Sequence, residues 1–291
     1  MSAADQPNSS SAAAGHRAAP LVGAYPASVI RKLNALTSNF YAREAASFSA
    51  TRQTPWHGWE KAWEIIGERH PWPADQPLNI LDLGCGNLRF ERFLAERTDI
   101  PVHVAAIDNC PALVAPEGGL PGRIAVEFQT FDLVESLLGG VFADRLPHHS
   151  HDLAVAFGLM HHLPTFNLRA RTLQGLASAL RPGGFAVVSF WQFLNDPRLA
   201  AKATATTAEG RAAHRLPSLE PNDYLLGWQH AQGVYRFCHH ADDHEIDALL
   251  AAAQQELDQS PFPGPTFHEL ARFSADGKQG NLNRYVVLQR I

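Results

Sequence analysis

The sequence predicts an α/β fold: a doubly wound sheet of seven strands, the last antiparallel, behind an N-terminal helical cap. Three observations predict it. An apolar strand, Ile80-Leu81-Asp82-Leu83, breaks into a glycine turn and then a helical pattern. Four further apolar runs follow, separated by turns and helical stretches, as in a parallel sheet with crossover helices. Two late runs, 266–274 and 284–290, flank Asp276-Gly277 and read as an antiparallel closing hairpin.

The chain is 291 residues long, room for one large domain with extensions. Its 45% hydrophobic and 18% charged residues are those of an ordinary globular protein. Cys85, Cys110 and Cys238 are too few for a disulfide framework, and a reducing, cytoplasmic setting fits them best. No apolar run is long enough to span a bilayer, so no membrane role is expected. A net charge of −5 gives no general affinity for nucleic acid; any RNA contact needs a local basic patch.

The first 25 residues are rich in Ala, Ser and Pro and have no apolar signal core, so disorder is expected there. Residues 26–70 read as a helical cap with a break. Val29, Leu33, Leu36 and Phe40 recur at helical spacing. Thr54 is suited to cap a second helix with Pro55 at its first position. Trp56, Trp59, Trp63 and Ile66 line one face of that helix, a stripe expected to pack in the core. The polar break, 48–52, lies between two anchored helices and is suited to close as a lid.

Residues 71–291 form the main domain. The turn after the first strand, Gly84-Cys85-Gly86-Asn87, puts a helix N-terminus beside a strand end, a cradle for a small ligand with a negative group. A nicotinamide fingerprint needs glycine where Arg89 stands, and no Gly-Lys-Ser/Thr phosphate loop is present. Asp82 to Gly86 instead resembles the first motif of class I S-adenosylmethionine (SAM) methyltransferases. That resemblance implies SAM as cofactor, its methionine end at the turn, bound by Asp82, Gly84, Cys85, Gly86 and Asn87.

The second strand, 102–108, ends in Asp108, 22 residues after Gly86. A carboxylate at this spacing can accept from both ribose hydroxyls; the competing role is a helix cap before Pro111. Asn109 falls beside it. The third strand, near 124–129, runs into Phe131-Asp132. By the same resemblance Asp132 holds the adenine amino group, and otherwise it is a loop acid. His148, His149 and His151 read as a solvated loop cluster rather than a metal set.

The fourth strand ends at Gly158, also expected at the cofactor, and is followed by His161 and His162 at the reactive end of the sheet. One His can pack as a core residue while the other reaches substrate. An alcohol or phenol acceptor would need one of them as base, whereas a carboxylate acceptor needs none because it is already ionised. A helix over 166–180, a stop at 181–184 and a fifth strand over 185–190 follow. The histidine pair with Leu180-Arg181-Pro182-Gly183-Gly184 extends the methyltransferase resemblance.

The cap carries a narrower resemblance. Tyr41, Phe48-Ser49, Thr51-Arg52 and Pro55-Trp56 are similar to the opening of the eukaryotic tRNA wobble-uridine methyltransferases, which esterify 5-carboxymethyluridine. It implies that Tyr41 and Arg52 face the reaction site, that tRNA is the substrate, and that a small zinc-binding subunit activates the enzyme. Tyr235-Arg236-Phe237-Cys238 departs from that family's pattern. A small-molecule acceptor, or a non-catalytic SAM-binding subunit, are the competing readings. The segment 192–235 reads as a substrate-recognition insert. Its Arg198, Lys202, Arg211, His214 and Arg215 suit an anionic substrate or simply a solvated surface.

Overall fold

A computed structural model describes residues 25–70, 72, 76–114, 119–229, 231–258 and 266–291. The expected disordered tail lies outside the described residues except for Tyr25. That residue is buried, and its hydroxyl donates to Asp223 at 2.6 Å.

The elements run α1 (Ala27–Ala50), α2 (His57–Arg69), β1 (Leu78–Leu83), α3 (Arg89–Arg97), β2 (Val102–Asp108), α4 (Pro111–Val114), β3 (Ile124–Thr130), α5 (Leu133–Leu138), α6 (Phe142–Arg145), β4 (His151–Ala156), α7 (Phe166–Ala179), β5 (Leu180–Trp191), α8 (Pro197–His214), β6 (Asp223–Gly227), β7 (Tyr235–His239), α9 (Asp243–Asp258), β8 (Phe267–Ala275) and β9 (Asn283–Arg290). The main sheet has the order β3-β2-β1-β4-β5-β9-β8. Its first five strands are parallel, and β9 pairs antiparallel with both β5 and β8. A separate hairpin, β6–β7, stands outside it.

The central parallel strands, β1, β4 and the body of β5, are buried on both faces, so they read as apolar runs. Alternation assigns Leu81, Leu83, Ile107, Ala154 and Val188 to one face, with α1, α5, α7 and α9. Leu78, Ile80, Val104, Val155 and Val187 take the other, with α2 and α3. The two N-terminal helices therefore cover opposite faces. α1 packs on β7, α4 and α5, and α2 packs on β8 and β9. The chain between them crosses the carboxyl edge of the sheet, where β1, β2 and β4 end.

Several local expectations change. Helix α1 runs through Phe48, Ser49 and Ala50, so the break is shorter than 48–52. Thr54 caps nothing: α2 starts after Trp56 without a cap from its own segment. The Gly58 N–H finds Asp276 Oδ1 at 3.3 Å instead, a carboxylate from beyond β8 that no local pattern reveals. Trp59 and Ile66 are buried core, as the stripe implies. His151 is no loop residue; it is buried in β4, and burial lowers its pKa. Arg181 to Gly184 are taken into β5 across an irregular register with β4 rather than ending at a turn. The described residues of the 192–235 insert carry α8, β6 and the start of β7. Asp196 caps α8 through the N–H groups of Arg198 and Leu199, with Pro197 at the first position. The closing connection is longer than a two-residue turn: Asp276 and Gly277 have φ of 66° and 73°, and the Leu282 N–H returns to the Asp276 carbonyl.

Candidate active site

A cleft opens over the carboxyl ends of β1, β2 and β4, with about 1130 Å³ of space, partly open to solvent. Its floor is the turn after β1. The N–H groups of Gly84 and Cys85 bond the Ile107 carbonyl at 2.8 and 3.1 Å, which ties the turn to β2. Gly84 has φ +79°, and a Cβ there would stand 3.2 Å from Leu159. Only glycine lets the backbone pass at this point.

Asp108 is fixed from both sides. Oδ2 accepts from the Gly86 N–H at 3.0 Å and Oδ1 from the Cys110 N–H at 2.8 Å. It therefore serves the turn and the entry to α4 while still lining the cleft. Burial raises its pKa against those hydrogen bonds. Asp132 likewise has a double role: Oδ1 caps α5 through the Glu135 N–H, and Oδ2 accepts from Asn34 at 2.7 Å. Phe131, Asn109 and Gly158 line the same cleft, with the Gly158 N–H held by Ser189 at 3.0 Å.

The opposite end is built from α1, the β6–β7 hairpin and His162. His162 Nδ1 lies 2.7 Å from the Phe237 carbonyl, which can only accept. Nδ1 therefore carries the proton, and Nε2 accepts from the Tyr41 hydroxyl at 2.8 Å. Burial, with Arg236 nearby, lowers the His162 pKa to about 3. Burial keeps this imidazole neutral, and its lone pair accepts from Tyr41, which it holds in place.

Two guanidiniums flank this group. Arg52 stacks over Phe48 and Trp228. Arg236 is 5% exposed, sits behind the cleft lining and lies over Phe40, Trp191 and Trp228. Its Nε and Nη1 have no partner, and it makes no ion pair among the described residues. Arg89 adds a third cation at the mouth, over Trp56 and Trp59, donating to the Thr54 carbonyl. Burial and Arg52 lower its pKa to about 10.

The cleft thus brings together Tyr41, Arg52, Asp82, Gly84, Cys85, Gly86, Asn87, Asp108, Asn109, Phe131, Asp132, Gly158 and His162. It leaves out His161. That ring lies outside the lining, packed 4.1 Å from His162 and 5.0 Å from Trp191, with Nδ1 unpartnered. Burial lowers its pKa well below the ordinary range, and the ring packs in the core behind the cleft lining. Sequence reading missed Arg236, Arg89 and Asn34. Only Arg89 carried a signal, as the cation where a glycine fingerprint fails. Ligand atoms of His161, His162 and Cys238 lie within 4.8 Å of one another, but both His162 nitrogens are engaged and Arg236 lies alongside. The run Cys238, His239, His240, His244 does not converge: His239 is gripped by Asp223 and Glu245, while His240 Nδ1 accepts from the Leu194 N–H.

The cradle suits SAM on its own terms. The glycine turn leaves room for a ligand against the backbone, and the buried Asp82 Oδ1, without a partner among the described residues, calls for a donor. Fold and cleft together define a class I, SAM-dependent methyltransferase. The chain belongs to the family described as "Methyltransferase domain", whose model matches residues 56–260. It is 28% identical over 151 residues to the mouse tRNA (carboxymethyluridine(34)-5-O)-methyltransferase ALKBH8, a match that covers 52% of this chain and 19% of that protein. Among solved structures, it resembles the Burkholderia thailandensis 1,6-didemethyltoxoflavin-N1-methyltransferase with bound S-adenosylhomocysteine. That likeness has a TM-score of 0.53 at 16% identity, covering 94% of this chain and 92% of that one. The CcbJ methyltransferase of Streptomyces caelestis gives 0.50 at 13% identity, covering 88% and 98%. No helix among the described residues is long and apolar enough to cross a membrane.

Proposed function

We propose that the protein methylates a carboxylate oxygen of an anionic acceptor, and that this acceptor is the carboxymethyl group of a tRNA wobble uridine. One observation carries the reading: Arg52 on the cleft wall and Arg236, buried behind that wall, are cations with no acid paired to either among the described residues. A buried charge of this kind is costly unless a counter-charge arrives, and a substrate carboxylate supplies one. Arg52 lies within electrostatic reach of it and faces the cleft.

When bound, SAM supplies a methyl group activated on a sulfonium. The chain's own residues bind, orient and exclude water. Tyr41 and the neutral His162 fix the acceptor wall. The carboxylate is ionised already, so no residue need take a proton, consistent with a histidine whose lone pair is occupied.

The tRNA part rests on two supports. The relative named above acts, by its name, on carboxymethyluridine in tRNA. The positive charge also continues outward, for Lys202 on α8 senses both Arg236 and Arg198. The walls beside Arg52 and Arg89 are aromatic, Phe48, Trp56 and Trp59, and this favours a flat carboxylate-bearing small molecule as the second reading.

The test is transfer of methyl label from SAM to tRNA carrying carboxymethyluridine, read by nucleoside analysis. Alkali-labile label in the modified uridine is the expected result. Absence of label with SAM bound, alone and with an activating subunit supplied, excludes the tRNA acceptor and leaves the small carboxylate.

A further inference from the structure

Beneath the glycine turn the protein buries two carboxylic acids against each other. Asp82, near the end of β1, is 2% exposed, and Glu91, in the first turn of α3, is fully buried. The side chains are within hydrogen-bonding reach. Asp82 Oδ1 and both Glu91 carboxyl oxygens find no donor among the described residues. Two ionised carboxylates so placed repel strongly and leave three buried acceptors unsatisfied. A single proton held between them removes the repulsion and engages two of the three acceptors, one on each acid.

The surrounding groups do not offer another solution. From β2, Asp108 adds more negative charge. Arg92, next to Glu91, eases it electrostatically but donates to the Asn87 carbonyl. The Cys85 thiol is held neutral by burial and by these same acids. From β4, the register partner of Asp82 is the apolar Val155. Asp82 reaches the cleft and Glu91 does not, so the outer acid faces the cofactor and the inner one faces only its neighbour.

SAM is a cation with an α-ammonium at its methionine end, the end the glycine turn receives. We infer that Asp82 and Glu91 share one proton in the free protein and release it to solvent when SAM binds, the cofactor's ammonium taking the proton's place against Asp82. Glu91 is then a positioning residue: it sets the protonation state of Asp82 without touching the ligand. The inference rests on SAM binding alone and is independent of the acceptor.

Calorimetry of SAM binding to the full chain at about pH 7, in buffers of different ionisation enthalpy, counts the protons released. Wild type should release about one per SAM, and its affinity should rise with pH across the titration of the pair. In Glu91→Gln the amide donates to Asp82, which is then ionised before binding, so release should fall close to zero and the affinity should lose that pH dependence. A SAM analogue lacking the α-amino group should bind wild type without release, a check that needs no variant. Binding to wild type without proton release overturns the inference. So does equal release by Glu91→Gln, which would move the proton to Asp108.

Discussion

The two ends of the cleft carry opposite charge. The floor under the glycine turn gathers Asp82, Glu91 and Asp108, and every one of these carboxyls is buried far enough to raise its pKa. At the other end Arg52 lines the wall and Arg236 lies buried behind it, neither in an ion pair among the described residues, and His161 and His162 are held neutral. Each end is costly in isolation, because buried charge without a counter-charge destabilises the fold. A cation bound at one end and an anion at the other relieve both. The polarity matches a positively charged methyl donor facing a carboxylate acceptor, and it assigns different tasks to residues only a few side chains apart.

The largest effect is expected from Arg236→Met. Removing an unpaired buried cation and filling its volume with an apolar chain should leave thermal stability unchanged or raised. Turnover on a carboxylate acceptor should fall by about 100-fold while SAM affinity, measured by calorimetry, stays unchanged. A parallel loss of SAM affinity would break the division between the two ends. Next in size is Asp108→Ala at the other end. It removes the acceptor of the Gly86 and Cys110 N–H groups and a carboxylate proposed to hold the cofactor's ribose, so SAM affinity should drop by about 10-fold or more. Unchanged affinity would remove Asp108 from the cofactor site.

Tyr41→Phe should act more gently. It leaves His162 Nε2 buried without a donor, costing about 1–2 kcal/mol of stability in chemical denaturation. Turnover should fall severalfold with SAM affinity retained; a loss of SAM binding would put Tyr41 on the cofactor side. The smallest effect concerns the hairpin that carries Arg236. His239 is clamped by Asp223 at 2.5 Å and Glu245 at 2.6 Å, and Glu245 also pairs with Arg169. Burial opposes charge on His239, yet the two carboxylates prevail and its pKa is raised. Its contribution to stability is therefore complete below the unfolded value of about 6.5 and is lost as pH rises through the higher folded value. The melting temperature should decline over that interval, and His239→Gln should flatten the decline. An identical slope in the variant would assign the pH dependence elsewhere.

The acidic end was far more legible in the sequence than the basic one. Gly84-Cys85-Gly86 and the spacing to Asp108 are local patterns, fixed by how a strand turns into a helix, and they lie on consecutive stretches of chain. Glu91 escaped notice because an acid in the first turn of a helix usually answers the helix dipole; only its burial against Asp82 distinguishes it. Arg236 sits in an ordinary alternating strand, and its lack of an acid partner exists only in three dimensions. Arg52 was reached through a resemblance, with no spacing to predict its stacking on Trp228. The seven-stranded, doubly wound sheet with its last strand antiparallel followed from the alternation of elements, whereas the start of α2 did not, since its capping carboxylate, Asp276, comes from more than 200 residues away.

The charge polarity is tested most directly by offering the protein two tRNAs that differ only in the wobble side chain, one carboxymethyl and one carbamoylmethyl, with labelled SAM. The two groups have nearly the same shape and differ in charge. Label entering the carboxymethyl tRNA alone, as an alkali-labile ester, is the predicted result. Equal labelling of both, or label on a ring atom, would contradict an acceptor held by its negative charge.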